Sequence, residues 1–231
     1  MLGIIGAMDT EVAKLKEMMT EIKITKAASM EFYEGKLGGA AAVVVRAGVG
    51  KVNAACCTQA LIDHFPVSCV INTGIAGSLQ KRIDIGDIVL ATEAVEHDMD
   101  VAALGYAPGV IPDMEEYCFK ADEKLRRTAK ESCEAVNPDI HVYEGKVVSG
   151  DQFISDKEKK AWLIETFDGC CTEMEGAAIA HTAWLNQVPF LIVRAISDKA
   201  DDSAQMDYPT FEAKAIEHSV RLIAEMARRL A

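Results

Sequence analysis

The chain has 231 residues, of which half are hydrophobic and 26% are charged. This length can bury one large core and the composition is that of a globular protein, so we expect a single domain over residues 1–231. The formal net charge of −12 would repel the phosphates of nucleic acid and of anionic membranes, which argues against both as partners. A small ligand of little charge fits the composition better.

The cysteines and the N-terminus bear on the cellular compartment. Seven cysteines include the pairs Cys56-Cys57 and Cys170-Cys171, and none shows C-x-x-C spacing. An odd count without that spacing favours reduced thiols over a disulfide framework or a zinc ribbon. The N-terminus lacks the features of a signal peptide, and no apolar run reaches the roughly 18 residues of a membrane span. We therefore expect a cytoplasmic protein.

Strand-like apolar runs alternate with segments of helical period, which is typical of an α/β domain. In chain order, the sequence predicts a strand at 2–6, a helix at 9–20, strands at 31–37 and 41–46, a helix at 51–64, strands at 67–73 and 85–95, a helix at 122–135, a strand at 141–148, a helix at 175–185 and a strand at 189–196. A final helix is predicted from one apolar stripe: Ile216, Val220, Ile223, Ala227 and Leu230.

Glycine or a polar residue follows four of these strands, in the segments 6–11, 47–50, 74–77 and 197–198. In open α/β sheets the ligand sits beyond the carboxyl ends of the strands, so these four loops could line one crevice. Taken singly they are not specific, because any tight turn after a strand also favours glycine.

Several kinds of site are not indicated by the sequence. The pair Gly48-x-Gly50 lacks the third glycine of a dinucleotide fingerprint, and no G-x-x-x-x-G-K-[ST] loop is present. The five histidines show no close metal-ligand spacing, and no G-x-S-x-G elbow offers a serine nucleophile. We therefore predict neither a nucleotide cofactor nor a metal.

Four carboxylates are candidates for chemistry, although each has a simpler explanation. Glu11 lies in the first turn of a predicted helix, and Glu173-Met174-Glu175 precede a helix of small residues, where the helix dipole favours acids. Asp198 could cap a turn. It follows a strand that should be buried, however, and polar groups in such a place need partners or a purpose.

Four segments occur together in order: Gly6-Ala7-Met8 followed by Glu11, then 149–154, 173–175 and 194–198. With this combination the chain resembles the 5'-methylthioadenosine/S-adenosylhomocysteine nucleosidases over essentially its whole length. The resemblance implies a nucleoside phosphorylase-like α/β fold, a three-layer α/β/α sandwich with a central mixed β-sheet. It also implies a homodimer that cleaves an adenine nucleoside with water and uses no cofactor.

The resemblance also implies roles for individual residues. Asp198 would protonate N7 of adenine with Ser197 holding it, and Glu11 would activate the water beside Arg194. Phe153 would stack on adenine, and the Ile154 backbone would read the edge of the base. Glu175 and the Met174 backbone would bind the ribose hydroxyls. The remaining substrate-binding residues would be Met8, Val49, Ile75, Glu173 and Tyr208. The partner subunit would contribute Val101, Leu104 and Pro112.

Three other functions remain open from the sequence. Phosphorolysis on the same scaffold would need cations around phosphate, where the first loop carries Asp9 and Glu11 instead. A non-catalytic nucleoside-binding domain would not need the three acids, and an aminofutalosine-type nucleoside would differ only at the 5' end. Ile75 stands where relatives often have a small hydroxyl residue, and Leu104 where an aromatic is common.

Overall fold

Ten β-strands, six α-helices and a short 3-10 turn make up the computed structural model, which describes residues 1–231. In chain order the elements are β1 (Leu2–Gly6), α1 (Asp9–Met18), β2 (Thr20–Ala27), β3 (Met30–Leu37), β4 (Ala40–Arg46), α2 (Lys51–His64), β5 (Cys69–Ser78), β6 (Ile88–Glu96), the 3-10 turn (Ala102–Leu104), β7 (Cys118–Lys120), α3 (Glu123–Val136), β8 (Val142–Ser149), α4 (Lys157–Phe167), β9 (Gly169–Glu173), α5 (Gly176–Leu185), β10 (Phe190–Asp198) and α6 (Ala204–Arg229). The predicted alternation of strands and helices is present.

All ten strands belong to one mixed sheet. Strand β1 runs parallel to β4 and β5, and β5 runs parallel to β10, whereas β2, β3 and β4 are antiparallel neighbours. Because β5 pairs with both β10 and β9, the strands β5, β10, β6, β8 and β9 close into a ring. The resemblance implied the mixed sheet, but this closure was not predicted.

Helices cover both faces of the sheet. Helix α2 packs against α5, and α6 packs against α1 and α3. One apolar cluster of 55 buried residues joins these layers, and the central strands are buried on both faces, as Val43, Val44 and Val45 illustrate. The predicted three-layer α/β/α fold is confirmed. None of the helices combines the length and the apolarity needed to cross a bilayer.

Some predicted boundaries are wrong. The first helix ends at Met18 rather than residue 20, because Thr20 already begins β2, and the strand predicted at 85–95 is Ile88–Glu96. Strands β2, β7 and β9 and helix α4 were not predicted. Strand β2 lies at the sheet edge and is exposed along most of its length, so it lacks the apolar pattern that marks a buried strand.

The end of β10 is irregular, and this irregularity shapes the site. Ile196 pairs with Ala76 of β5 and Asp198 pairs with Gly77, so Ser197 is an extra residue between two consecutive pairs. Such a bulge re-aims side chains at a strand end. It accounts for two successive residues, Ser197 and Asp198, facing one cavity instead of alternating between faces.

Candidate active site

A cavity of about 760 Å³, including its open mouth, lies at the carboxyl ends of the parallel strands β1, β5 and β10. Its lining residues are Ala7, Met8, Glu11, Val49, Ile75, Ala76, Gly77, Gln152, Phe153, Ile154, Thr172, Glu173, Met174, Glu175, Ser197, Asp198 and Tyr208. Every site residue predicted within the chain lines this cavity except Arg194, which lies behind the wall.

Glu11 lies in the first turn of α1, where backbone N–H groups hold both carboxylate oxygens. Oε2 accepts hydrogen bonds from Ala7 at 2.7 Å and Met8 at 2.9 Å, and Oε1 accepts one from Ile75 at 3.2 Å. Burial raises the pKa of Glu11 above its ordinary value, although the neighbouring Arg194 opposes this shift. Accepting three N–H groups suits the ionised form, so Glu11 is arranged as a base.

Asp198 lies at the end of β10 and is 2% exposed. Its Oδ1 accepts a hydrogen bond from the Ala200 N–H at 2.8 Å, and Oδ2 accepts one from Ser197 Oγ at 2.9 Å. Burial raises the pKa of Asp198 in spite of these two hydrogen bonds. Burial favours the protonated form of the carboxyl group, so Asp198 is better suited to donate a proton than an exposed aspartate and is arranged as an acid.

Arg194 is completely enclosed, with 1% of its surface exposed. Its Nη2 donates hydrogen bonds to Glu173 and to Asn72 Oδ1. The same atom lies 3.8 Å from Glu175 Oε2, and Nη1 lies 3.4 Å from the Ile75 carbonyl oxygen. The guanidinium is therefore already bound to the protein's own carboxylates and is not a free cation for a ligand.

Glu173 ends β9 and caps the helix that follows. Its carboxylate accepts the N–H groups of Glu175 at 3.0 Å and Gly176 at 2.8 Å, and it also bonds the Ser149 hydroxyl. Ser149 Oγ in turn accepts the Ala177 N–H at 2.7 Å. The predicted preference for an acid at this helix start is thus explained by Glu173, which fixes the position of Glu175 beside the cavity.

Glu175 reaches across the cavity to the start of α2. Its Oε1 accepts the Gly50 N–H at 2.8 Å. Burial, followed by the nearby charge of Glu173, raises the pKa of Glu175 to about 7. A carboxylate in this position can bond two hydroxyl groups of a sugar and favour a positive charge on its ring.

A close approach at Gly74 brings the base and the buried cation together. A Cβ added at this residue would lie 2.3 Å from Arg194 Nη1 and 2.5 Å from Glu11 Oε1. Both distances are far below van der Waals contact, so only glycine fits between the two groups. The sequence predicts a loop at 74–77, but β5 continues to Ser78, so Gly74 lies inside the strand, and its steric role becomes visible only in the fold.

Aromatic and sulfur-containing side chains form the open side of the cavity. The rings of Phe153 and Tyr208 meet edge to face with centroids 5.9 Å apart, and the Tyr208 hydroxyl lies 3.4 Å from Met8 Sδ. Phe153 remains half exposed. An exposed ring at a cavity mouth can stack on a planar base, and thioether and aromatic neighbours suit an apolar 5' group.

The segment expected to serve a partner subunit does not line this chain's own cavity. Leu104 lies on the 3-10 turn and is 73% exposed, and Val101 and Pro112 are partly exposed. An exposed leucine of this kind is available for contact with a second chain. The role of these three residues in a partner's pocket remains a prediction.

Several residues that build the site were not assigned to it from the sequence. Asn72 and Ser149 bond Arg194 and Glu173, and Gly50 bonds Glu175. All three bonds join segments distant in the chain. A polar residue inside an apolar strand, as at Asn72, was the one local sign of a buried polar partner.

The charge of the cavity wall limits the chemistry it can perform. Four carboxylates line it, and no lysine, arginine or histidine does. Two cationic side chains outside the lining are already paired with other carboxylates: Arg46 with Asp9 at 3.0 Å and Lys51 with Glu96 at 2.9 Å. Such a wall can supply a proton, accept one and stabilise a cation, but it would repel an inorganic anion.

The fold and this acid-lined cavity define a member of the phosphorylase superfamily, whose family model matches residues 1–228. A 5'-methylthioadenosine/S-adenosylhomocysteine nucleosidase of Exiguobacterium is 42% identical over 99% of this chain and 98% of that protein. The crystal structure of the Neisseria meningitidis nucleosidase in complex with methylthio-immucillin-A has a TM-score of 0.94 and 39% identity, with 99% of this chain and 98% of that chain covered. The chain belongs to the family of 5'-methylthioadenosine/S-adenosylhomocysteine nucleosidases.

A futalosine hydrolase of Helicobacter pylori is also structurally similar. Its native structure has a TM-score of 0.92 and 32% identity, with 97% of this chain and 96% of that chain covered. The fold is therefore shared by enzymes named for different nucleosides.

Proposed function

We propose that this chain hydrolyses the N-glycosidic bond of 5'-methylthioadenosine and S-adenosylhomocysteine, releasing adenine and the 5'-substituted ribose. The observation that carries this proposal is the cavity lined by Glu11, Glu173, Glu175 and Asp198 with no cationic side chain. Relatives of at least 36% identity along the whole chain bear this activity in their names and support the choice of substrate.

Cleavage of the bond between C1' and N9 leaves positive charge on the ribose and sends the bonding electron pair to the base. Asp198 gives its proton to N7, so that adenine leaves as a neutral molecule. The raised pKa that burial gives Asp198 suits it to this step. Ser197, bonded to the same carboxyl group, holds it in place.

Two of the other acids, Glu175 and Glu11, act on the sugar and on the attacking water. Glu175, with the backbone at Met174, binds the ribose hydroxyls and stabilises the cationic ring. Glu11 accepts a proton from the water whose oxygen bonds to C1'. Glu11 then releases this proton to solvent and Asp198 takes one up from solvent, which restores the starting state. Phe153 stacks on adenine while the Ile154 backbone reads its edge.

The test is to incubate purified protein with 5'-methylthioadenosine in phosphate-free buffer made with oxygen-18 water. We expect free adenine by chromatography and one heavy oxygen in the ribose product, at a rate that added phosphate does not increase. Adenine formed only with phosphate, together with a ribose 1-phosphate, would identify a phosphorylase instead. Binding without any product would identify a nucleoside-binding protein.

A second substrate deserves a parallel assay because of the similarity to futalosine hydrolase. Aminofutalosine shares adenine and ribose with methylthioadenosine and differs at the 5' end, where Met8, Val49 and Tyr208 lie. The ratio of kcat/KM for the two nucleosides decides between them. A ratio in favour of aminofutalosine would replace the substrate in this proposal and leave the hydrolysis unchanged.

We further propose that residues 1–231 fold as one domain that acts as a cytoplasmic homodimer. All seven cysteines are free in the structure, which suits a reducing compartment. The exposed Leu104, with Val101 and Pro112, would complete the pocket of the partner around the 5' group. Sedimentation at micromolar concentration would give twice the mass of 25.0 kDa for such a dimer.

A further inference from the structure

Lys51 is the first residue of α2 and is largely buried, with 18% of its side chain exposed. Its Nζ lies 2.9 Å from Glu96 Oε2 and 2.7 Å from Asp98 Oδ1. His181 approaches the other oxygen of Glu96 at 3.1 Å. These residues and Asp151 are called the Lys51 cluster below; none of them lines the cavity.

The Lys51 cluster ties together three segments of the chain: the loop before α2, the loop after β6 and the loop after β8. The Lys51 N–H donates to Asp151 Oδ1 at 2.8 Å, and the Asp151 N–H donates to Asp98 Oδ2 at 2.9 Å. Asp98 is therefore held from two sides, by the loop before α2 and by the loop after β8. The first of these loops includes Val49, and the second leads to Phe153.

The same loop before α2 is fixed to the ribose side of the cavity. Gly50, the residue before Lys51, donates its N–H to Glu175 Oε1 at 2.8 Å. Since the first N–H groups of a helix have no partner within it, two of those of α2 are taken by carboxylates from other segments. Glu175 and Phe153 are thus joined through a short chain of bonds.

At two glycines these loops pack so closely that there is little room for a side chain. Gly50 has a φ of +96°, and a Cβ there would lie 3.0 Å from Asp151 Oδ1. A Cβ at Gly150 would lie 2.5 Å from a ring atom of His97 and 3.0 Å from Asp98 Cγ. The loops therefore meet at backbone distance, and a small displacement of one moves the others.

Stability alone does not account for such a cluster. Removing two charges from water costs several kcal/mol, and a buried ion pair can often be replaced by apolar residues with no loss of stability. What the charges do provide is one fixed arrangement, because each oxygen of Asp98 has a single donor. The arrangement fixed here is that of the substrate loops.

We propose that Lys51 is a positioning residue for the glycosidic cleavage: its side chain holds Asp98, which also accepts the Asp151 N–H, and so sets the distance between the stacking ring of Phe153 and the ribose carboxylate of Glu175. Lys51 touches no substrate atom. The inference rests on the proposed function, since it assigns adenine to Phe153 and ribose to Glu175. Displacement by about 1 Å can cost 10²-fold in rate without changing the reacting groups.

The test replaces Lys51 by Met, which keeps most of the length of the side chain, removes its charge and leaves the backbone N–H bond to Asp151 in place. We expect kcat to fall by about 10- to 100-fold with a smaller change in KM, because the substrate still binds but is misaligned. Lys51→Arg should bring kcat back to within about three-fold of the unmodified chain, since its guanidinium can bond both carboxylates.

Lys146→Met is the matched control. Lys146 is also partly buried and pairs with Glu93 at 3.1 Å, but neither residue lines the cavity. A fall in the melting temperature shared by both variants, with kcat lost only in Lys51→Met, supports positioning. A kcat in Lys51→Met equal to that of Lys146→Met, or one that Arg does not restore, overturns the proposal.

The outcome is separable from failure of the proposed function. If the unmodified chain releases no adenine, the hydrolase proposal fails before any variant is compared. In that case the affinity for free adenine, measured by calorimetry, still tests the cluster, because a displaced Phe153 ring must weaken adenine binding. Unchanged adenine affinity in Lys51→Met would then overturn the positioning role as well.

Discussion

Asp198 and Glu175 are both buried acids, but their surroundings suit them to different chemical roles. Asp198 has Ser197 and the Ala200 N–H as partners, with burial as the main cause of its raised pKa. Glu175 has the Gly50 N–H on one oxygen, with Arg194 at 3.8 Å from the other. Environments that differ in this way separate an acid from an electrostatic stabiliser.

Replacing Asp198 by Asn removes the proton donor and keeps the shape of the side chain. We expect kcat for adenine release to fall by about 10²- to 10⁴-fold, the usual contribution of a general acid. Methylthioadenosine should still bind, as calorimetry under conditions of no turnover would measure. Turnover close to normal would mean that another group protonates the base.

Asp87→Asn is the control for that variant. Asp87 is 4% exposed, and its carboxylate accepts the backbone N–H groups of Asp84 and His141, well away from the cavity lining. The two substitutions therefore replace carboxyl groups of similar burial. If both variants lose activity in proportion to their loss of stability, the effect of Asp198→Asn is structural.

Glu175 makes activity and stability change in opposite directions with pH. Its pKa is raised from 4.5 to about 7 by burial and by Glu173, so the folded protein holds a proton that the unfolded chain has already lost in this range. The free energy of unfolding should fall as the pH rises from 4.5 to about 7, while kcat/KM rises as the carboxylate ionises.

Parallel pH profiles of thermal unfolding and of kcat/KM check this expectation. In Glu175→Gln the fall in stability over that range should largely disappear, and the low-pH limb of activity should lose the step near pH 7. A low-pH limb that is unchanged in Glu175→Gln would assign the titration to another group, with Glu11 as the next candidate.

Among the elements, β5 does most to assemble the site. All ten of its residues are buried, and it pairs with β1, β9 and β10. The register places Gly74 opposite Arg194 and Gly77 opposite Asp198. A Cβ at Gly77 would lie 2.7 Å from Asp198 Oδ1, so β5 brings the acid and the base close to the backbone at two points.

Gly74→Ala should therefore push Arg194 and Glu11 away from the backbone of β5. The new methyl group would press on Arg194 Nη1 and Glu11 Oε1, and we expect a loss of about 1–3 kcal/mol in the free energy of unfolding. We also expect kcat/KM to fall by at least about ten-fold, because the base is moved. Chemical denaturation and steady-state kinetics measure the two effects.

Gly3→Ala is a steric control on the neighbouring strand β1. Its Cβ would lie 2.6 Å from Leu61 Cδ2, the end of a flexible side chain in the core. This variant should lose stability and keep its kcat. A variant of Gly74 with full activity would show that the backbone can yield at this point.

At the scale of the whole molecule, the segment from residue 101 to 112 contributes nothing to the lining of this chain's own cavity. Leu104 is 73% exposed. The segment is anchored at its base, because Gly109 has a φ of +83° and its Cβ would lie 2.9 Å from a ring atom of Phe167. An anchored segment with an exposed leucine is suited to contact a second copy.

Mixing two inactive variants tests whether Leu104 acts on the partner's pocket. A chain with Leu104→Glu keeps its own acid but presents a charged residue to its partner, whereas Asp198→Asn keeps Leu104 but lacks the acid. After refolding of an equal mixture, mixed dimers contain one complete site. We expect about a quarter of unmodified activity, since half the dimers are mixed and one of their two sites works.

The combination of Asp198→Asn with Glu11→Gln is the control for this mixture. Both residues line one chain's cavity, so no mixed dimer has a complete site and no activity should return. Activity of the first mixture that stays at the average of its two components would place Leu104 outside the neighbouring pocket.

Much of the fold could be predicted because its central strands are apolar on both faces and its helices begin at recognisable residues. The elements that could not be predicted lack these signals. Helix α4 has only Leu163 and Phe167 buried among charged residues, and β9 is five residues long. The ring closure of the sheet depends on a second partner for β5, which no local pattern encodes.

For the site, the resemblance to a family found the residues and the fold explains their arrangement. The cavity lining includes the predicted acids. The resemblance implied that Arg194 lies near the water and Glu11; its guanidinium does lie near Glu11, and it bonds Glu173 and Asn72 behind the wall. Those partners are 21 and 122 residues away along the chain. Pairings over such separations follow from strand order, which the sequence did not determine.

The enclosure of Arg194 among carboxylates also constrains how this protein could evolve. A single substitution that placed a lysine in the cavity wall would set it beside four acids, and its ammonium group would pair with Glu173 or Glu175. Holding a phosphate would require the loss of an acid together with the gain of a cation. Replacing one of these acids by lysine would do both at once, but it would also remove a carboxylate on which the proposed hydrolysis depends.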